Sequence, residues 1–253
     1  MIIDSHCHID FTEFDDDRQD VLSRASKLGI QKIIVPGVRQ NTWQRITDYC
    51  QTYAQLFPCY GLHPYFLDSH SEKDLDLLKT LLKENRPVAV GECGLDYFLK
   101  DLDKDKQQFY FEQQLDLAIE TDLPVVIHAR KSTEAVIKAI RQRPGLRGMI
   151  HSYSGSYEQA KQLIELGFYL SFGGPITYEK STRLRKLVQD LPLSSILIET
   201  DAPDQPVANS KSARNEPGFI IDVVKSIASL HQITSDEVAS ITTENANRLF
   251  QLV

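Results

Sequence analysis

The run Ile2-Ile3-Asp4-Ser5-His6-Cys7-His8 decides how the whole chain is read. An apolar, β-branched start that breaks into His-x-His is a strand delivering two imidazoles at its end. Alternate strand residues share a face, so His6 and His8 are expected to meet one ion together. The pattern recurs downstream, where His63, Glu92, His128, His151 and Asp201 each close an apolar run of their own. Imidazoles and carboxylates gathered at one end of a sheet make a metal site, and a catalytic one where a coordination position stays open.

Working outward, strands are expected at 2–6, 31–37, 57–62, 87–92, 123–128, 147–151, 168–173 and 195–200. Helical patterns fall near 15–28, 41–54, 72–84, 104–121, 132–142, 156–166 and 180–190, and two more near 217–230 and 235–250. The helix at 104–121 repeats Phe111, Leu115 and Ala118 on one face, and that at 156–166 repeats Ala160, Leu163 and Ile164. Strict alternation with near-continuous apolar strands implies a parallel sheet covered by helices. Eight repeats are the number that closes an α/β (β/α)8 TIM barrel. A doubly wound open sheet would gather its ligands at one switch point, whereas here polar residues follow six different strands. A single domain over 1–253 is expected. Asn215 and Pro217 suggest an N-cap and first turn, and Gly29 and Gly167 stand where helices want a left-handed residue.

Charged residues make up 25% of the chain and the net charge is −7, which argues against a protein that coats nucleic acid with a basic surface. A phosphate ester remains open as substrate, because divalent cations reverse the charge locally. Cys7, Cys50, Cys59 and Cys93 show no C-x-x-C spacing, which suits a reducing compartment. Cys7 and Cys93 adjoin proposed ligands and read as packed small residues, with soft ligation the alternative. No leader and no run long enough to span a bilayer is seen, so the cytoplasm is expected and no membrane contact or obligate protein partner is evident. His70 reads as a loop or capping residue and His231 as a surface one.

The landmarks Asp4-Ser5-His6-Cys7-His8, Gly61-Leu62-His63-Pro64, Gly91-Glu92-Cys93-Gly94-Leu95-Asp96-Tyr97 and Leu123 to Arg130 stand in chain order. They continue with His151-Ser152-Tyr153-Ser154-Gly155, Glu199-Thr200-Asp201-Ala202-Pro203, Arg214-Asn215-Glu216-Pro217 and Asn247-Arg248-Leu249-Phe250. Together they resemble the TatD family of metal-dependent deoxyribonucleases, within the amidohydrolase-like TIM barrels. The resemblance runs along nearly the whole chain. His151 precedes Ser-Tyr where Cys-Phe is more usual, and Asp204-Gln205-Pro206 resembles an Asp-x-Pro subgroup.

The resemblance implies that His6 and His8 hold a first metal with Asp201, and that His128 and His151 hold a second. Glu92 takes the position of a bridging carboxylate. It implies one or two divalent ions, with Mg, Mn, Zn, Co and Ni all compatible with such ligands. A metal-activated water would attack the phosphodiester, with Asp201 orienting it or accepting its proton. His63 resembles a residue on the scissile phosphate; a structural partner for a carboxylate is the alternative. Asp96 and Glu199 are expected to orient ligand histidines, and Glu199 alternatively to meet a further cation. Arg130 and Arg214 are candidates for phosphate and Lys131 for a weaker contact, against salt bridges to nearby acids. Tyr65, Phe66, Tyr97 and Tyr153 either stack bases or cap the core.

DNA is the expected substrate, taken as single-stranded or frayed 3′ ends that enter a pocket more readily than duplex does. An enzyme acting on a small amide, ester or lactone is the alternative, and a non-catalytic barrel ranks below both because the full ligand set is present.

Overall fold

The computed structural model describes residues 1–210 and 214–252. Its strands are β1 (Ile2–Asp4), β2 (Ile30–Pro36), β3 (Leu56–Tyr60), β4 (Ala89–Asp96), β5 (Val125–Arg130), β6 (Gly148–Ile150), β7 (Phe168–Phe172) and β8 (Ile196–Ile198). Among the described residues the helices between and after them are α1 (Arg18–Lys27), α2 (Trp43–Thr52), α3 (Glu72–Asn85), α4 (Lys104–Thr121) and α5 (Thr133–Arg141). They continue with α6 (Tyr157–Glu165), α7 (Thr182–Asp190), α8 (Ile220–His231) and α9 (Ser235–Phe250). The eight parallel strands keep chain order in the sheet, the (β/α)8 TIM-barrel topology expected. Contacts cluster in two compact units, Pro36–Tyr169 and the pairing of Met1–Val35 with Leu170–Val253.

In the Pro36–Tyr169 unit, β4 is buried at every residue, as a strand covered on both faces must be. It pairs with β5 from Val90↔Val125 to Asp96↔Arg130, with an irregularity between Val90 and Cys93. That break falls on Glu92, whose backbone N–H donates to Gly37 O (3.0 Å) instead. Such bulges re-aim a side chain, and here the side chain is a carboxylate. Gly94 sits opposite His128 at φ +149°, and a Cβ there would meet the His128 carbonyl at 2.0 Å, so only glycine lets the two strands approach.

Helix α4 presents Phe111, Leu115 and Ala118 to the core, as its periodicity predicts. On the same buried side stand two amides seven residues apart, Gln107 and Gln114. Gln107 accepts from Asp96 N (2.8 Å) and donates to Asp96 O (3.1 Å). Gln114 does the same for Leu62, at 2.7 and 3.1 Å. Each completes a chain end that has left its ladder. Loss of either would strand buried backbone groups at about 1–3 kcal/mol apiece.

In the other unit, β7 and β8 pair in register from Leu170↔Ile196 to Phe172↔Ile198. Helix α9 opens with a Thr234/Glu237 capping box and sends Asn245 Nδ2 to Leu193 O and Ile196 O at 2.8 and 2.9 Å. Its core joins Ile3, Leu22, Ala25, Leu197, Val223, Ile227, Val238 and Leu249, each large side chain contributing about 1.5–3 kcal/mol on burial.

Local expectations shift in places. Gly29 and Gly167 adopt the left-handed conformation after α1 and α6, at φ +88° and +85°. Asn215 is buried and caps no helix; Pro217 opens a 3-10 turn whose cap is Glu216. His231 Nε2 donates to Val188 O (2.9 Å), and the residue is half-buried.

Candidate metal centre

Strand β1 ends at Asp4, so His6 and His8 lie beyond it and their common direction comes from the loop, not from strand alternation. The loop is pinned through its backbone N–H groups. Ser5 N–H donates to Ile198 O (3.0 Å), Cys7 N–H to Ile34 O (3.1 Å) and His8 N–H to Ala202 O (2.8 Å). Asp4 is fully buried and accepts from His6 N, Thr200 N and Thr200 Oγ1 at 3.2, 3.0 and 2.6 Å. Burial pushes its carboxyl up to about 8 against the pull of those bonds. Asn215 Nδ2 donates to Thr200 O and Gln205 O, at 2.8 and 3.1 Å, closing the turn that holds Asp201. Asp201 adopts the left-handed conformation at φ +54°, which Asp tolerates better than most residues.

The result is three converging donors. His6 Nε2 and His8 Nε2 stand 3.2 Å apart, and Asp201 Oδ1 lies 3.4 and 3.7 Å from them. Phe11 stacks on the His8 ring with centroids 4.5 Å apart, fixing its plane. Glu199 is fully buried, its N–H on Phe172 O (3.1 Å).

A second group forms within the Pro36–Tyr169 unit. Glu92 Oε1 is faced by His63 Nε2 at 3.1 Å, His128 Nδ1 at 3.3 Å and His151 Nε2 at 3.0 Å. His128 Nδ1 and His151 Nε2 are themselves 3.2 Å apart. Glu92 and His128 lie inside their strands, His151 just after β6 and His63 three residues after β3. Asp96 Oδ2 stands 3.0 Å from His128 Nε2, turning Nδ1 toward Glu92. Burial draws the His128 imidazole down, but Asp96 and Glu92 more than offset it and hold it above its usual range. Burial lifts Asp96, but the bond and charge of His128, the Phe98 N–H and the Arg130 charge together outweigh it and lower the carboxyl. Both directions describe one tight pair.

His63 is a donor toward Glu92. Its Nδ1 accepts from Tyr65 N (3.0 Å), which leaves the neutral ring's proton on Nε2. Burial pulls the imidazole down to about 4, against the Glu92 charge. His70 is no mere loop residue: it is buried, and its Nε2 meets His63 O at 2.8 Å.

The donor sets fit divalent cations. Imidazole and carboxylate atoms of His63, Glu92 and His128 all lie within 4.8 Å of one another, and His6, His8 and Asp201 converge equally closely.

The candidates away from these groups divide. Arg130 is half-exposed, its guanidinium 3.8 Å over the Phe98 ring and 4.0 Å from Asp96 Oδ2. Arg214 is committed elsewhere, bidentate on Asp17 at 2.8 Å twice and donating to Glu13 O at 2.7 Å. Tyr153 is only 2% exposed and its hydroxyl donates to Ser156 O (2.7 Å), so its face offers nothing to a base. Tyr65, by contrast, is 60% exposed. Cys7 and Cys93 are fully buried and burial raises both thiols, which makes them packing residues. No helix among the described residues is long and apolar enough to cross a membrane.

Comparison with known proteins supplies the family. The family described as TatD related DNase matches residues 3–251. The metal-dependent hydrolase YabD of Bacillus subtilis is 36% identical over 254 residues, covering 100% of both chains. The metal-dependent hydrolase YjjV of Escherichia coli is 37% identical, covering 99% of this chain and 98% of its own. The crystal structure of that TatD homologue superposes with a TM-score of 0.95 at 35% identity, covering 100% of this chain and 98% of the other. The chain belongs to the TatD family and is a metal-dependent hydrolase.

Proposed function

We propose that the chain hydrolyses phosphodiester bonds of DNA in the cytoplasm, working from 3′ ends of single or frayed strands. In this reading His6, His8 and Asp201 would hold one divalent ion, and His128, His151 and Glu92 would hold another. Bound there, such ions supply positive charge for the developing phosphorane oxygens and acidify water. The remaining work falls to the side chains. Asp201 accepts the proton of the attacking water, while Gln205 Nε2 donates to its second oxygen and fixes the carboxylate plane. His63 stays neutral, and the Nε2–H it gives to Glu92 Oε1 here is the donor that turns to a phosphate oxygen when substrate enters. Asp96 keeps His128 oriented, and Arg130 stands half-exposed for a phosphate of the chain. The family description as a DNase favours phosphorus over a carbonyl.

The observation that carries the proposal is the meeting of three imidazoles on one oxygen of Glu92. Its test is degradation of 5′-labelled single-stranded DNA by chelator-stripped protein with Mg²⁺ or Mn²⁺ restored, Glu92→Gln alongside. Stepwise shortening that needs metal and is lost in the variant supports it. No cleavage by metal-loaded protein would turn the assignment to a small amide, ester or lactone.

A further inference from the structure

Arg39 was not among the residues singled out by sequence, yet it occupies an unusual position. It follows β2 by three residues, and its carbonyl caps the next turn by accepting from Thr42 N (3.1 Å) and Thr42 Oγ1 (2.8 Å). Its guanidinium lies 4.3 Å over the Phe66 ring. Nε is buried with no hydrogen-bond partner, and no carboxylate among the described residues pairs with the group. Arg214 and Arg143 show the ordinary alternative, each clasped by an aspartate. A guanidinium that stacks but lacks an anion is costly to desolvate and is relieved by one.

The surroundings point to which anion. Phe66 meets the His63 ring edge-on at 6.2 Å, and His63 Nε2 is 3.1 Å from Glu92 Oε1. The stack Glu92, His63, Phe66, Arg39 therefore runs outward from the metal-ligand group within one unit. Tyr65 lies beside Phe66 with centroids 5.0 Å apart and is the exposed member of the pair.

We propose that Arg39 binds the phosphate next to the one being cleaved, with Tyr65 offering its face to the attached base. The substrate class is then a phosphodiester chain of at least two linkages, not an isolated diester. This rests on the phosphodiesterase reading above.

The test compares Arg39→Met, which keeps the stem against Phe66 and removes the charge, with Arg39→Lys, which keeps the charge and loses the planar fork. Two probes are used with metal-loaded protein: decathymidylate and bis(p-nitrophenyl) phosphate. Arg39→Met is expected to lose about tenfold more kcat/KM on decathymidylate than on the small diester, mostly through KM, the size of one charge-assisted contact. Its salt dependence on decathymidylate should flatten by about 0.7 in log–log slope, one phosphate contact on a single strand. Binding of fluorescent decathymidylate to chelator-stripped protein, read by anisotropy, should weaken about tenfold by the same contact, with Arg39→Lys in between. Equal losses on both probes with an unchanged salt slope, or no loss in either assay, would overturn the assignment. Decathymidylate bound through Arg39 by a protein that cleaves neither probe would sink the phosphodiesterase reading and leave Arg39 standing. Cleavage of the small diester with decathymidylate binding untouched in Arg39→Met would do the reverse.

Discussion

The two ligand groups are built on opposite principles. Glu92 and His128 lie within long neighbouring strands, β4 and β5 paired through Asp96↔Arg130, and His63 and His151 join them from beyond β3 and β6. His6, His8 and Asp201 stand beyond strands of three residues each, and buried side chains do the holding there: Asp4, Thr200 and Asn215. A ladder spreads the cost of a single substitution over many backbone bonds. A side-chain network concentrates it, because each lost partner leaves a buried group unsatisfied. The first group is therefore expected to lose function without losing the fold, and the second to lose both together.

The largest effect tests the ladder-held group. Glu92→Gln keeps the shape and removes the charge, and turnover should fall by at least about 10²-fold, the usual loss for a charge-stabilising group, with the melting temperature nearly preserved. A comparable fall in melting temperature would erase the contrast. Next comes Asp4→Asn. It should weaken metal binding about 10–100-fold and also cost about 1–3 kcal/mol of stability, read by calorimetric metal titration and urea unfolding on the same samples. Asp96→Asn sharpens the point, since it should show a similar loss of affinity, about 10–100-fold, with a smaller stability change because β4 and Gln107 still hold its backbone.

A smaller effect separates the pH responses. Burial lowers the His70 imidazole, against the bond to His63 O, so folding favours its neutral form. Its contribution is complete above the ordinary histidine value of 6.5 and is lost as pH falls below it. Melting temperatures at pH 7.5 and pH 5 should converge in His70→Gln relative to wild type; an unchanged gap would show that His70 is not the titrating group. The smallest belongs to the surface. Arg214→Met breaks a partly exposed pair with Asp17 and should cost about 0–1 kcal/mol. A large rise in KM instead would return Arg214 to the substrate.

The strand order was legible because apolar, β-branched runs recur eight times between amphipathic stretches, with the 3.6-residue stripe plainest in α4 and α6. The metal-ligating residues were legible because imidazoles and carboxylates at run ends have few structural uses. What lay hidden follows a rule as well. His6 and His8 share a direction through loop bonds, which no periodicity encodes. Glu92 is aimed by a bulge inside β4, where the run was expected to stop. Gln107 and Gln114 signalled themselves only as polar residues seven apart on an apolar helix face. Arg214 stands in a legible motif and Arg39 does not, yet it is Arg214 that Asp17 occupies while Arg39 stacks on Phe66.

The central claim is that both groups bind cations. Its most direct measurement is calorimetric titration of Mn²⁺ into chelator-stripped wild type, a His6→Ala/His8→Ala pair and a His128→Ala/His151→Ala pair. Two ions are expected in wild type and one in each variant. Wild-type protein that takes up no ion, or that keeps its full complement in either variant, would contradict the claim.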